Sequence, residues 1–235
     1  MFRFKKFAVN DNGATMKVGT DAVLLGALAE VSHASKVLDI GTGCGVVALI
    51  IAQRNPTAII HAVEPDKGGV QCAVDNFEAS PWNDRLTVFE TTVQHIACAT
   101  CQKYNCIVSN PPYFVNSLKS PSEQRNMARH NNTLPFDELA EAVDSLLSSD
   151  GSFTAIMPCP EADDFIATAE RQNLFCQKEI LIFSKPQGKP LRKVFVLGRN
   201  TTVTPALSQI AIYNDNGQFS EHYRALTADL YLWEK

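Results

Sequence analysis

Apolar and polar positions along this 235-residue chain change period repeatedly, and the changes mark its elements. Val37-Leu38-Asp39-Ile40 is a short, mostly apolar run halted by glycine, the pattern of a buried strand. From Val46 to Gln53 the apolar spacing becomes helical. Ala58–Glu64 then predicts a second strand, 67–80 a helix, 85–89 a third strand and Tyr104–Ser109 a fourth. Residues 136–148 set Leu139, Val143, Leu146 and Leu147 on one helical face. Asp150-Gly151 predicts a turn into a fifth strand at 152–157, followed by a helix near 161–172 and strands near 174–183 and 192–198. An extra helix over Asp21–Glu30 precedes the first strand, 207–212 alternates like a strand, and 221–230 has the pattern of a short helix. Strands alternating with helices predict an α/β fold with an open, mostly parallel, seven-stranded sheet and helices on both faces. The expected organisation is a single domain: an N-terminal extension over 1–34, a core over 35–200, and an appendage over 201–235 packed on that core. Residues 114–134 are polar and aperiodic, and a loop of that length predicts a lid or substrate loop.

Composition narrows the setting. Hydrophobic residues make up 45% of the chain, enough to fill a core. The first residues, Met-Phe-Arg-Phe-Lys-Lys-Phe, lack the apolar stretch of a signal peptide, and no run reaches the ~20 apolar residues of a membrane helix. Seven cysteines, an odd number, suit a reducing cytoplasm better than a disulfide framework. The expected state is a cytoplasmic monomer with no membrane partner. Net charge is −4, but it is unevenly spread. Residues 1–17 sum to +3 and 185–199 to +5, leaving −12 on the rest. An acidic body with two basic segments can grip phosphates locally, which keeps a nucleic-acid partner open.

Three segments carry chemistry. Gly41-Thr42-Gly43-Cys44-Gly45 follows the first strand, where glycines let backbone approach a ligand closely. A dinucleotide fingerprint needs glycine at 46, and this chain has Val46. Asp39, two residues before the loop, would repel a pyrophosphate but suits a cation, so the loop favours S-adenosylmethionine over NAD. Glu64 ends the second strand, where a carboxylate can accept both ribose hydroxyls. The third segment is Asn110-Pro111-Pro112-Tyr113. The prolines stiffen the turn and bias Asn110 to an extended backbone. The Asn110 amide oxygen and the Pro111 carbonyl can accept both N–H bonds of an exocyclic amine, and Tyr113 offers a stacking face. Freed from its ring by those two bonds, the amine lone pair can attack a methyl group with no base removing a proton first.

These segments stand in the order and spacing of class I S-adenosylmethionine-dependent amino-methyltransferases, which have a Rossmann-like fold. Ala14-Thr15-Met16-Lys17-Val18-Gly19-Thr20-Asp21, Ser80-Pro81-Trp82, Ala128-Arg129-His130 and Leu134-Pro135-Phe136 make the chain resemble, more closely, the bacterial tRNA1(Val) adenine-37 N6-methyltransferase family over roughly residues 4–233. The resemblance implies S-adenosylmethionine as methyl donor and N6 of the adenine 3′ of the anticodon in a valine tRNA as acceptor. It places the donor on Asp39, Gly41, Thr42, Gly43, Gly45, Glu64 and Asn110. Its adenine would meet Thr91 and Thr92, where many related enzymes have an acid. Lys17 and Thr20 would close over its methionine end, with Thr20 as a plain helix cap the alternative. Arg129 and His130 would contact phosphate or the neighbouring base and Phe114 would extend the stacking surface, with loop anchoring the alternative for all three, and Lys185, Lys189, Arg192 and Lys193 would contact the RNA backbone. Gly68-Gly69, early in the helix after Glu64, departs from the alanine-like residues expected there, and each glycine costs a helix about 1 kcal/mol.

The tetrapeptide serves N5-glutamine methylation of release factors and N2-guanine methylation of ribosomal RNA equally well. A non-catalytic S-adenosylmethionine- or RNA-binding module is a further alternative, although such a chain would be expected to lose Asn110 or a loop glycine. Cys98-x₂-Cys101, with His95 and Cys106 nearby, has a zinc-like spacing but no second pair, and no metal is expected.

Overall fold

The computed structural model describes residues 1–12, 17–112 and 134–233. A two-stranded ribbon, β1 (Phe2–Arg3) and β2 (Ala8–Val9), leads to α1 (Thr20–Leu28). The body then runs β3 (Lys36–Ile40), α2 (Val46–Arg54), β4 (Ile59–Glu64), α3 (Lys67–Glu78), β5 (Leu86–Glu90), α4 (Val93–Ala99) and β6 (Tyr104–Ser109). It continues with α5 (Phe136–Leu146), β7 (Leu147–Met157), α6 (Cys159–Glu170), β8 (Phe175–Phe183), β9 (Pro190–Gly198), β10 (Ala206–Ala211) and α7 (Glu221–Leu226).

The sheet has eight strands, in the order β10-β8-β9-β7-β6-β3-β4-β5. Only β9 runs antiparallel to its neighbours. The eighth strand, beyond the expected seven, is β10, which pairs in parallel along the free edge of β8 from Ala206↔Lys178 to Ala211↔Phe183. Successive residues of a strand face opposite sides. Val37, Cys106, Val108 and Ile156 therefore join one core with α1, α2 and α3, while Leu38, Ile107, Phe153 and Phe195 join a second with α4, α5 and α6. Helices thus cover both faces, as the alternating pattern predicts.

Two boundaries depart from expectation. Asp150-Gly151 makes no turn: β7 begins directly after α5, and the residues around it are absorbed by a register shift between Tyr104↔Leu147 and Cys106↔Ser152. The helix α4 is absent from the sequence reading because it is short and buries only Val93 fully, leaving little apolar periodicity to detect.

The chain leaves β3 toward β4 and β5 on one side and returns to β6 on the other. This reversal opens a crevice beyond the carboxyl ends of β3 and β6, where open α/β sheets bind ligands.

Candidate active site

Register fixes the site. Val63, Ile40 and Ser109 lie in one row across β4, β3 and β6. One residue farther on, each strand delivers a candidate group: Glu64, Gly41 and Asn110. Three segments separated by up to 69 positions in sequence therefore reach the same sheet edge together.

The loop after β3 is tightly built. Gly41, Gly43 and Gly45 adopt φ of 70°, 55° and 81°, a region costly for residues with a Cβ. The Gly41 and Thr42 N–H groups donate to the Val63 carbonyl at 2.9 and 3.2 Å, and Gly45 N–H donates to Thr42 O at 2.9 Å. A Cβ on Gly41 or Gly43 would meet nothing within 4 Å, whereas one on Gly45 would come within 2.5 Å of the Phe77 ring of α3. The first two glycines thus leave backbone open to an approaching molecule, and the third lets α2 start hard against α3.

Glu64 is locked to this loop. Its Oε2 accepts the Gly43 N–H and its Oε1 the Asp66 N–H, each at 2.9 Å. Asp66 caps α3 by accepting the Gly69 N–H at 2.8 Å. A Cβ on Gly69 would sit 2.9 Å from Glu64 Cγ. This accounts for the departure at position 69: a glycine that weakens α3 makes room for the carboxylate. Nothing in the structure explains Gly68.

Asp39 is buried and accepts the Thr42 hydroxyl at 2.6 Å. Burial pushes its carboxyl up from 3.8 to about 7; the Thr42 and backbone hydrogen bonds oppose the shift, and the Glu64 charge adds to it. In the window between those two values the folded chain holds a proton that the unfolded chain has released. Folding therefore takes up a proton, and stability falls as pH rises from about 4 to about 7. Thermal melts of the ligand-free protein across that range are expected to show the decline, and Asp39→Asn is expected to flatten it. Equal slopes in both proteins would contradict this assignment.

Asn110 is half-buried and Pro111 buried, while Pro112 is exposed. The hydroxyl of Ser109, just before them, donates to Ile40 O at 3.1 Å and ties the acceptor turn to the glycine-loop strand. Tyr113, Phe114, Arg129 and His130 lie outside the described residues.

Thr91 sits at the same edge, its N–H on Glu64 O at 3.2 Å, and Thr92 caps α4 through the His95 N–H. Lys17 is exposed. Thr20 is the first residue of α1 rather than its cap, a place taken by Gly19. Of the basic set, Lys185 and Lys189 are exposed on the loop between β8 and β9. Arg192 binds Asp21 of α1 at 2.8 Å. Lys193 departs from the expected set of phosphate contacts: its side chain is 9% exposed and held between Asp163 and Glu179. Its place in a strand, with alternate residues turned inward, is the signal that separates it from the loop lysines. Cys106 is buried while Cys98 and Cys101 are exposed, and among the described residues no three His, Cys, Asp or Glu side chains converge on a metal-sized site.

A doubly wound sheet with a glycine loop, an acid ending the next strand and an Asn-Pro-Pro turn across the switch point is a methyltransferase arrangement. Residues 14–134, just over half of the chain, match the family described as Methyltransferase small domain, and the chain belongs to that family. A protein of Bacteroides thetaiotaomicron named tRNA1(Val) (adenine(37)-N6)-methyltransferase is 40% identical over 98% of this chain and 97% of its own length. Proteins with the same name from Flavobacterium johnsoniae and Pectobacterium carotovorum are 38% and 35% identical over 99% of this chain, covering 99% and 94% of their own lengths. Within its class, the chain therefore falls among the tRNA1(Val) (adenine(37)-N6)-methyltransferases. Among solved structures, a predicted O-methyltransferase of Agrobacterium tumefaciens matches with TM-score 0.72 at 16% identity, over 92% of this chain and 99% of that one. TrmN of Thermus thermophilus matches with TM-score 0.54 at 19% identity, over 76% and 48%. These two likenesses concern the fold.

Proposed function

We propose that this protein transfers a methyl group from S-adenosylmethionine to the N6 amine of adenine 37 in tRNA1(Val). The observation that carries the reaction is the row Val63–Ile40–Ser109, which sets the glycine loop, Glu64 and Asn110-Pro111 side by side. The nucleotide comes from the relatives' shared name over nearly the whole chain.

The residues present fit the donor. Two acidic residues, Asp39 and Glu64, border a loop with no lysine or arginine in it, a setting that disfavours a phosphate. Each Glu64 oxygen, with one N–H already bound, keeps lone-pair capacity for a ribose hydroxyl. The donor supplies an electrophilic methyl group with its own driving force. The chain's residues supply position. Asn110 Oδ1 and Pro111 O accept the two N–H bonds of the amine and aim its lone pair, and Tyr113 stacks on the base. An adenine leaving its stack costs a few kcal/mol, and stacking on an aromatic side chain returns about 1–3 kcal/mol. Lys185 and Lys189 supply charge for the RNA backbone, with Arg192 beside them.

The direct test is incubation with labelled S-adenosylmethionine and a tRNA1(Val) transcript, beside the same transcript carrying guanine at position 37 and a glutamine-bearing release factor. Label in the first alone is the expected result. Label in the release factor, or equal label in both transcripts, would overturn the reading.

A further inference from the structure

Asn76, on α3, lies outside the three segments of the site, yet it is 4% exposed and uses its whole amide. Its Nδ2 donates to the Cys44 carbonyl inside the glycine loop and to the Asn10 carbonyl, both at 2.8 Å, and its Oδ1 accepts the Asn10 N–H at 2.8 Å. The Cys72 thiol, one turn earlier, also donates to Asn10 O at 2.9 Å. The peptide between Cys44 and Gly45 is thereby held at both ends, because the Gly45 N–H is on Thr42 O. Farther along, Asp11 Oδ2 accepts the Val18 N–H at 3.3 Å, which ties the segment entering α1 to the one leaving β2. A single buried amide therefore bridges the glycine loop and the N-terminal arm, two stretches more than thirty residues apart.

We propose that Asn76 is a positioning residue for donor binding: it sets the Cys44–Gly45 peptide of the glycine loop and couples that setting to the docking of the N-terminal arm at Asn10. The inference rests on S-adenosylmethionine being the donor. Two substitutions at this position fail in definite ways. Alanine takes the partner from the Cys44 carbonyl and the Asn10 N–H and leaves the Asn10 carbonyl with the Cys72 thiol alone. Aspartate keeps the shape but turns an oxygen toward two carbonyls, so the arm and the loop are pushed apart together.

Asn76→Asp and Asp11→Ala test the idea, the second because the Asp11 hydrogen bond, from the Val18 N–H, lies within the arm. In the ligand-free protein, Asn76→Asp is expected to speed amide exchange about tenfold or more in peptides covering 7–12 and 41–46, with β6 and β7 unchanged. Asp11→Ala is expected to speed exchange most in the arm peptide and, through Asn76, to a smaller degree in 41–46. Calorimetric titration with S-adenosylmethionine is expected to weaken about tenfold for Asn76→Asp and less for Asp11→Ala, the double variant falling short of the summed effects. The KM for the donor should rise in parallel, while kcat at saturation and the KM for tRNA stay within about twofold. Unchanged exchange at 41–46, uniform acceleration in every peptide, or additive losses would overturn the proposal. If Asn76→Asp does not fold, wild-type affinity and wild-type arm exchange in Asp11→Ala would overturn it as well. A wild-type protein that binds no S-adenosylmethionine would instead overturn the donor assignment.

Discussion

Replacing Asn110 by alanine is expected to lower kcat about 100- to 1,000-fold while leaving the affinity for S-adenosylmethionine within about threefold of wild type. The amide oxygen is asked to accept an N–H bond that strengthens as the amine nitrogen gains positive charge, so its loss falls on the transition state more than on ground-state binding. Asn110 stands one residue beyond Ser109, whose hydroxyl bond to Ile40 does not involve the Asn110 side chain, so the turn should survive the truncation. Single-turnover methylation of tRNA alongside a binding titration separates the two effects. A variant retaining most of its turnover would remove the Asn110 carbonyl from the chemistry. Asn110→Asp provides a sharper contrast, because its carboxylate still accepts a hydrogen bond yet adds negative charge beside Asp39 and Glu64.

The second large effect is expected from Gly45→Ala. The new methyl group faces both a φ of 81° and a Phe77 ring atom 2.5 Å from its ideal position. Left-handed strain of about 1–2 kcal/mol and overpacking of about 1–3 kcal/mol together predict a melting temperature lower by roughly 5–15 °C. Gly41→Ala is the control. It has similar backbone strain at φ 70° but no neighbour within 4 Å, so it should melt closer to wild type while still losing donor affinity. Equal melting temperatures for the two variants would show that the close approach of Phe77 contributes nothing.

Much of this candidate site is legible in the sequence. Strand ends announce themselves by apolar runs halted by glycine or proline, which places Gly41 and Asn110 at strand termini, and Glu64 follows the same logic at the end of β4. The α/β alternation follows from the change of apolar period alone. Lys193 illustrates what a linear reading loses. Its charge resembles that of Lys185 and Lys189, and only pairing with Met157 across β7 reveals that it points into an acidic pair. Gly69 was visible as an anomaly, but its cause is a side chain five residues away lying against the helix. Asn76 gave no signal at all. A polar residue in a helix is unremarkable in sequence, and its three partners come from two distant backbones.

The arm that Asn76 holds is itself secured by the other extremity of the chain. The Lys5 N–H donates to Leu230 O at 2.8 Å, and Phe4 stacks between Phe7 and Tyr231, with ring centroids 4.4 and 5.9 Å away. During synthesis the glycine loop, Glu64 and Asn110 emerge from the ribosome long before Leu230 does. The scaffold of the proposed donor pocket can therefore assemble early, whereas its N-terminal brace gains these partners only once the segment around Leu230 and Tyr231 has been made.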